Sequence, residues 1–141
     1  MESKYFAVID TNVIVSALIA KSPDSNPVKI IRAITQERII PLFNDEILDE
    51  YRTVLSRARF QIDPVLIRAV LDAFIADGLS LERTPAIEEE FPDVKDIVFY
   101  EVVLSREDSY LVTGNIKHFP SKPFVVTPAQ MVAILERQPQ I

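Results

Sequence analysis

Three sets of polar residues follow apolar segments of the chain, at the point where each segment ends. They are Asp10-Thr11-Asn12, Asn44-Asp45-Glu46 and Thr113-Gly114-Asn115. A carboxylate that directly follows a buried segment is costly unless it is paired, hydrogen-bonded or bound to a metal. Each set taken alone also fits a helix cap or a turn, because Asp and Asn are preferred at such positions. Their joint placement at one edge of a sheet favours a site for a hard cation.

The helix that the pattern predicts over residues 45–59 adds one acid to this group. Four acids lie near its start, namely Asp45, Glu46, Asp49 and Glu50. Helical phase puts Glu50 at the edge of the apolar face, whereas Glu46 and Asp49 point to solvent and Asp45 sits at the helix start. We therefore expect Glu50 to point toward the sheet edge.

Asp93 and Asp96 lie just before and at the start of an apolar helix predicted over residues 96–106. Asp96 lies closer to the apolar residues, so we expect it to reach the same edge as Asp10. Carboxylates gathered at one edge raise each other's pKa unless a cation binds between them. Mg²⁺ and Mn²⁺ prefer such oxygen ligands, and sites of this kind hydrolyse phosphodiesters. The residues alone therefore predict metal-dependent phosphoryl chemistry.

The composition excludes most other chemistries. The 141 residues include no Cys, one His and two Gly. Without Cys there is no disulfide scaffold, no thiol catalysis and no Cys-ligated metal. Two distant glycines cannot form a glycine-rich phosphate loop. The 21 acidic and 15 basic residues give a net charge of −6, which weighs against a nucleic-acid partner.

Strands and helices alternate along the chain. Strands are predicted at 5–9, 38–43, 79–83, 110–113 and 124–127, and helices at 12–20, 26–35, 45–59, 63–78, 96–106 and 128–136. Apolar strands alternating with helices indicate a single α/β domain over residues 1–141, a parallel sheet between two helix layers (an α/β/α sandwich). Ligands bind such sheets at the carboxyl ends of the strands. No apolar segment is long enough to span a bilayer and the start of the chain lacks a signal-peptide pattern, so we expect a cytoplasmic protein without membrane contact.

Four segments, in this order, resemble the motifs of PIN-domain ribonucleases. They are Val8-Ile9-Asp10-Thr11-Asn12-Val13-Ile14, Ile47-Leu48-Asp49-Glu50-Tyr51, Asp93-Val94-Lys95-Asp96 and Tyr110-Leu111-Val112-Thr113-Gly114-Asn115-Ile116-Lys117-His118-Phe119. The chain looks most similar to the small VapC-like toxins of toxin–antitoxin pairs.

The resemblance implies an endoribonuclease that depends on Mg²⁺ or Mn²⁺ and cleaves single-stranded RNA. Its catalytic acids would be Asp10, Glu50 and Asp96. The polar motif positions that steady the acids or a metal-bound water would be Thr11, Asn12 and Thr113. An antitoxin protein and a second copy of the chain, in a homodimer, are the partners that the resemblance implies.

The fourth segment departs from the family pattern, since many members have an acid at the position of Asn115 or of His118. Asn115 can still ligate a hard ion without bringing charge, and Asp93 could supply the missing carboxylate. The expected metal ligands are thus Asp10, Glu50, Asp93, Asp96 and Asn115. Candidate RNA contacts are Arg52, Lys117 and His118, although His118 also fits a plain loop residue beside Phe119.

Two other functions fit parts of the pattern. The altered fourth segment fits a PIN-fold binding protein with little or no catalytic activity. An Asp-based phosphatase or phosphoacceptor domain also places an Asp after a strand of a parallel sheet. The phosphatase signature, however, requires a second Asp where this chain has Asn12.

Overall fold

The computed structural model describes residues 4–86 and 89–137 and contains one five-stranded sheet in that part of the chain. The strands are β1 (Tyr5–Ile9), β2 (Ile39–Phe43), β3 (Leu79–Ser80), β4 (Ser109–Val112) and β5 (Val125–Val126). All neighbouring strands run parallel, in the order β3-β2-β1-β4-β5. The predicted α/β class is confirmed.

Consecutive strand residues are buried, which shows that both faces of the sheet are covered. Ala7, Val8 and Ile9 of the central strand β1 are each 0% exposed. Adjacent residues of a strand point to opposite faces, so helices must pack on each side. The helices are α1 (Thr11–Ile19), α2 (Asn26–Thr35), α3 (Asp45–Leu55), α4 (Pro64–Asp77), α5 (Ile97–Val103) and α6 (Pro128–Glu136). Within the two described ranges, no helix is both long and apolar enough to cross a membrane.

Side chains cap several of these helices, as their sequences suggest. Asn44 accepts a hydrogen bond from the Ile47 N–H at 2.9 Å and so starts α3. At the start of α2 the capping residue is Ser25, which accepts from the Val28 N–H, rather than Asn26. Thr127 and Gln130 form a reciprocal capping box at the start of α6.

Several predicted elements are longer than the observed ones, and three of them, α3, α5 and β3, have a local reason. Helix α3 ends at Leu55 rather than at residue 59, because the exposed residues that follow would bury no further apolar surface. Residues Val94–Asp96 form a separate 3₁₀ turn before α5, and α5 ends at Val103, whose carbonyl lies 3.0 Å from the Ser109 hydroxyl. Strand β3 has only two residues because the chain leaves the sheet after Leu81, whose N–H still donates to the Phe43 carbonyl.

Gly78 allows α4 to end directly against β2. A Cβ atom at this position would lie 2.4 Å from the Pro41 carbonyl oxygen and 2.6 Å from that of Phe74. Both are backbone atoms that cannot rotate away. The close approach of helix and strand therefore requires glycine here.

We expect Gly78→Ala to lower the free energy of unfolding by about 3 kcal/mol, the upper range for an overpacked site. Urea unfolding followed by circular dichroism measures this. The matched control is Gly114→Ala, whose Cβ would meet only the Asn12 side chain, at 3.3 Å. An equal loss in the two variants would contradict the packing argument.

Candidate active site

The connections from the strands diverge at the carboxyl ends of β1 and β4, which is the switch point of the sheet. The chain leaves β1 toward β2 on one side, whereas β4 lies on the other side of β1. Connections that diverge in this way create a crevice, the usual ligand position in a parallel sheet. The Asp10 N–H donates to the Val112 carbonyl at 2.9 Å and ties the two strand ends together. Asp10 and Thr113 thus face each other across this crevice.

The Asp10 carboxylate is buried, with only 6% of the residue exposed. Its Oδ2 accepts hydrogen bonds from the Thr113 hydroxyl at 2.8 Å and from the Asn12 amide at 3.2 Å. Asp10 occupies the N-cap position of α1 but makes no capping hydrogen bond with its side chain. The helix-cap interpretation of Asp10 is therefore wrong.

The loop after β4 makes hydrogen bonds to Thr113 and Asn12, the two side chains that bond to Asp10. Thr113 accepts from the Asn115 N–H at 3.0 Å, and the Asn12 side-chain oxygen accepts from the Gly114 N–H, also at 3.0 Å. Asn115 contributes its backbone to this arrangement, and its residue is exposed. The structure thus does not bring the Asn115 side chain into the buried group.

Asp96 lies at the start of α5, with its side chain 15% exposed. The His118 Nδ1 is 3.3 Å from the Asp96 Oδ2, within ion-pair distance. Within residues 4–86 and 89–137, this oxygen and the Thr11 hydroxyl are buried atoms without a hydrogen-bond partner. Buried oxygens are rarely left in this state, so a cation or a water fits beside them.

Tyr51 positions α3 relative to these acids. Its hydroxyl donates to the Ile9 carbonyl, one residue before Asp10, at 2.5 Å. Glu50, the residue before Tyr51, is half-buried, and its negative charge raises the pKa of Asp96. Asp49, in contrast, is 77% exposed and pairs with Arg52 at 3.1 Å. Helical phase therefore separates Glu50 from Asp49 as expected, and Arg52 lies at the solvent side with Asp49. Glu46 does not simply point to solvent as predicted, because it lies one helical turn before Glu50 and pairs with Arg83 at 2.8 Å.

The pKa values show that these groups share one electrostatic environment. Burial raises the Asp10 pKa from 3.8 to about 6, the Thr113 hydrogen bond opposes this, and the charge of Asp96 adds to it. Burial also raises the Asp96 pKa, and the charges of Asp93 and Glu50 raise it further, whereas His118 lowers it.

Asp93 itself is exposed and caps the 3₁₀ turn by accepting from the Lys95 N–H at 2.9 Å. Lys117 is exposed next to His118.

The donor atoms fit a hard divalent cation. In the described part of the chain, no three His, Asp or Glu side chains are close enough to form a complete metal cluster. Mg²⁺ does not require one, because it is commonly held by one or two carboxylates and keeps several waters. Asp10 and Asp96 supply two such carboxylates, and His118 Nδ1 lies 3.3 Å from the Asp96 Oδ2.

The protein is an open parallel α/β sheet, a class of fold that binds ligands at the switch point, where this chain has the buried Asp10. The model of the PIN domain family matches residues 7–117, most of the chain, and the protein belongs to this family. PIN domains are generally nucleases, and those nucleases typically use divalent metal ions. Comparison with curated proteins and with solved structures gives no match.

Two features of this region are not among the sequence predictions, the Tyr51 hydrogen bond and the Glu101–Arg83 ion pair. Nothing in the sequence pattern indicates the hydrogen bond that the Tyr51 hydroxyl donates to the Ile9 carbonyl. Glu101 is buried in α5, where it pairs with Arg83. A single charge within the apolar sequence of α5 requires a partner, and this signal could have been found in the sequence.

The raised pKa of Asp10 predicts how the metal-free protein responds to pH. Below about pH 4 the carboxyl is neutral in both the folded and the unfolded states, whereas above about pH 6 the folded state bears the full cost of a buried charge. The change from 3.8 to about 6 corresponds to about 3 kcal/mol. Asp10→Asn should therefore stabilise the metal-free protein at neutral pH and have little effect near pH 4.

Urea unfolding in a chelator across this pH range tests the prediction. Asp49→Asn is the control, because Asp49 is largely exposed and should show no such pH-dependent difference. A constant difference between Asp10→Asn and the unmodified protein across the range would exclude the buried charge as the cause.

Proposed function

We propose that this protein is an endoribonuclease that depends on Mg²⁺ or Mn²⁺ and cleaves single-stranded RNA. One observation carries the proposal. A chain of the PIN domain family holds Asp10 and Asp96 in one electrostatic environment at the switch point of its sheet, with a buried Asp96 oxygen that accepts no hydrogen bond in the described residues.

Asp10 and Asp96 would hold the cation. When bound, the cation polarises the phosphodiester, activates water and neutralises developing negative charge. Thr113 and Asn12 keep the Asp10 carboxylate in one orientation through their hydrogen bonds to its Oδ2. Glu50, half-buried on α3, would orient the attacking water or take its proton. Asp93 adds negative charge at the rim.

RNA as the substrate is supported by the resemblance and by the cations beside the acids. His118 lies 3.3 Å from Asp96, and the exposed Lys117 precedes it in the chain, where its positive charge would meet a phosphate of the strand. Arg52 is already paired with Asp49 and is the weaker candidate. The net charge of −6 is less of an obstacle once a cation neutralises part of the acid cluster.

Purified protein should cleave single-stranded RNA with Mn²⁺ and not in a chelator. Asp10→Asn and Glu50→Gln should each lower the rate at least about 100-fold, the scale of losing a group that acts on the reacting water. Asp49→Asn, next to Glu50 but exposed, should cleave at the unmodified rate. Denaturing electrophoresis of a labelled RNA measures all four proteins.

Cleavage that needs no metal and survives Asp10→Asn would refute the proposal. A PIN-fold binding protein without activity is the second candidate, favoured by the incomplete acid cluster and the exposed Asn115. Absence of both RNA cleavage and calorimetric Mn²⁺ binding would support it. A phosphoaspartate trapped at Asp10 after treatment with a small phosphodonor would instead support a phosphoacceptor.

We further propose that the protein is the toxin of a toxin–antitoxin pair, works as a homodimer and is held inactive by an antitoxin protein. The support is the resemblance to VapC-like toxins. Expression in bacteria should then arrest growth, and Asp10→Asn should abolish the arrest. Co-expression of the adjacent gene's product should relieve it. Growth unaffected by the unmodified, active nuclease would argue against the toxin role.

A further inference from the structure

Glu101 fastens an irregular segment of the chain to α5. It is the single charged residue of that helix, and its residue is only 9% exposed. Its Oε1 accepts from the Arg83 Nε at 2.7 Å, its Oε2 from the Ala86 N–H at 2.6 Å, and its carbonyl from the Thr84 N–H at 3.0 Å. The segment after β3 is therefore held against α5 by both the side chain and the backbone of one residue.

Arg83 extends this contact to a second helix. Its Nη1 donates to both carboxylate oxygens of Glu46, at 2.8 and 3.1 Å. Glu46 lies in the first turn of α3. One guanidinium thus joins α3 to α5, and its rigid planar shape fixes the direction of both contacts.

The two helices joined in this way carry two acids of the candidate site. Glu50 lies one helical turn after Glu46, on the same side of α3. Asp96 directly precedes α5. The rings of Tyr51 and Phe99 also connect the helices in the core, with centroids 6.3 Å apart. Arg83 adds a polar contact between the two helices nearer the surface than this ring contact.

We infer that Arg83 is a positioning residue, which clamps α3 to α5 through Glu46 and Glu101 and so sets the separation of Glu50 from Asp96. This rests on the proposed function in so far as these acids bind metal and act on RNA. Arg83 acts by holding the two helices in place and does not act on the site through its charge, because its guanidinium already pairs with the carboxylates of Glu46 and Glu101.

The absence of Cys in the chain allows a direct measurement of the clamp. Thr53→Cys on α3 and Leu104→Cys after α5 introduce two exposed positions for spin labels. Double electron–electron resonance on metal-free protein then gives the distribution of distances between the helices. Arg83→Met should broaden or shift this distribution, and Arg83→Lys should restore part of it. Arg52→Met is the matched control and should have no effect, since Arg52 pairs with Asp49 on its own helix and contacts no α5 residue in the ion pairs of the described residues.

Mn²⁺ binding by calorimetry supplies the functional readout. Arg83→Met should weaken binding about tenfold, the lower end of the effect of residues that support metal ligands. Arg83→Lys should lie between, and Arg52→Met should match the unmodified protein. All titrations are made on variants shown to be folded by circular dichroism, so that a general loss of structure is not counted.

The outcomes separate this inference from the proposed function. An unchanged distance distribution in Arg83→Met overturns the clamp, whatever the protein does with RNA. A broadened distribution with unchanged Mn²⁺ affinity overturns the positioning role. If the unmodified protein binds no Mn²⁺ and cleaves no RNA, the proposed function fails, and the distance measurement alone decides whether Arg83 holds the helices together.

Discussion

The buried carboxylate of Asp10 is the constraint on which the rest of the site depends. It lies at the point where β1 and β4 separate, and only 6% of the residue is exposed. Two side-chain donors, from Thr113 and Asn12, do not offset the loss of water, because the pKa of Asp10 still rises to about 6. Asp96 brings a second acid to the same environment. A protein that keeps these charges together at neutral pH favours a cation among them.

Three polar contacts hold the elements that carry the acids in place. Thr113 ties the end of β4 to Asp10, and the Tyr51 hydroxyl ties α3 to the carbonyl of Ile9. The Arg83 guanidinium spans from α3 to α5. Each contact joins elements that are distant in the chain, so the positions of the acids depend on polar contacts as well as on the apolar core.

The charges around the site are compatible with the proposed action of an acidic protein on RNA. The acids lie in the crevice, where a cation would neutralise them, while His118 and Lys117 are exposed at its rim. His118 lies 3.3 Å from Asp96 and already lowers the pKa of that carboxyl. Under the proposed function, Lys117 would supply positive charge for an RNA strand beside His118.

Much of this architecture could be predicted from the sequence. The apolar segments that become β1, β2 and β4, and the helix starts at Asn44 and Asp63, follow from local patterns of burial and capping. Helical phase alone separated Glu50 from Asp49. The lengths of α3, α5 and β3 could not be predicted, because each ends where tertiary contacts or their absence decide it, as at Ser109 for α5.

By itself the sequence determined which chemical groups the protein has: carboxylates after apolar strands, no thiol, and a single imidazole. Only the tertiary structure decided which of these groups meet. It brought His118 to Asp96, left the Asn115 side chain exposed, and joined Glu46 to Glu101 through Arg83. The physical reason is that periodicity and propensity act over a few residues, whereas these contacts depend on the order of strands in the sheet and on the packing of helices against it.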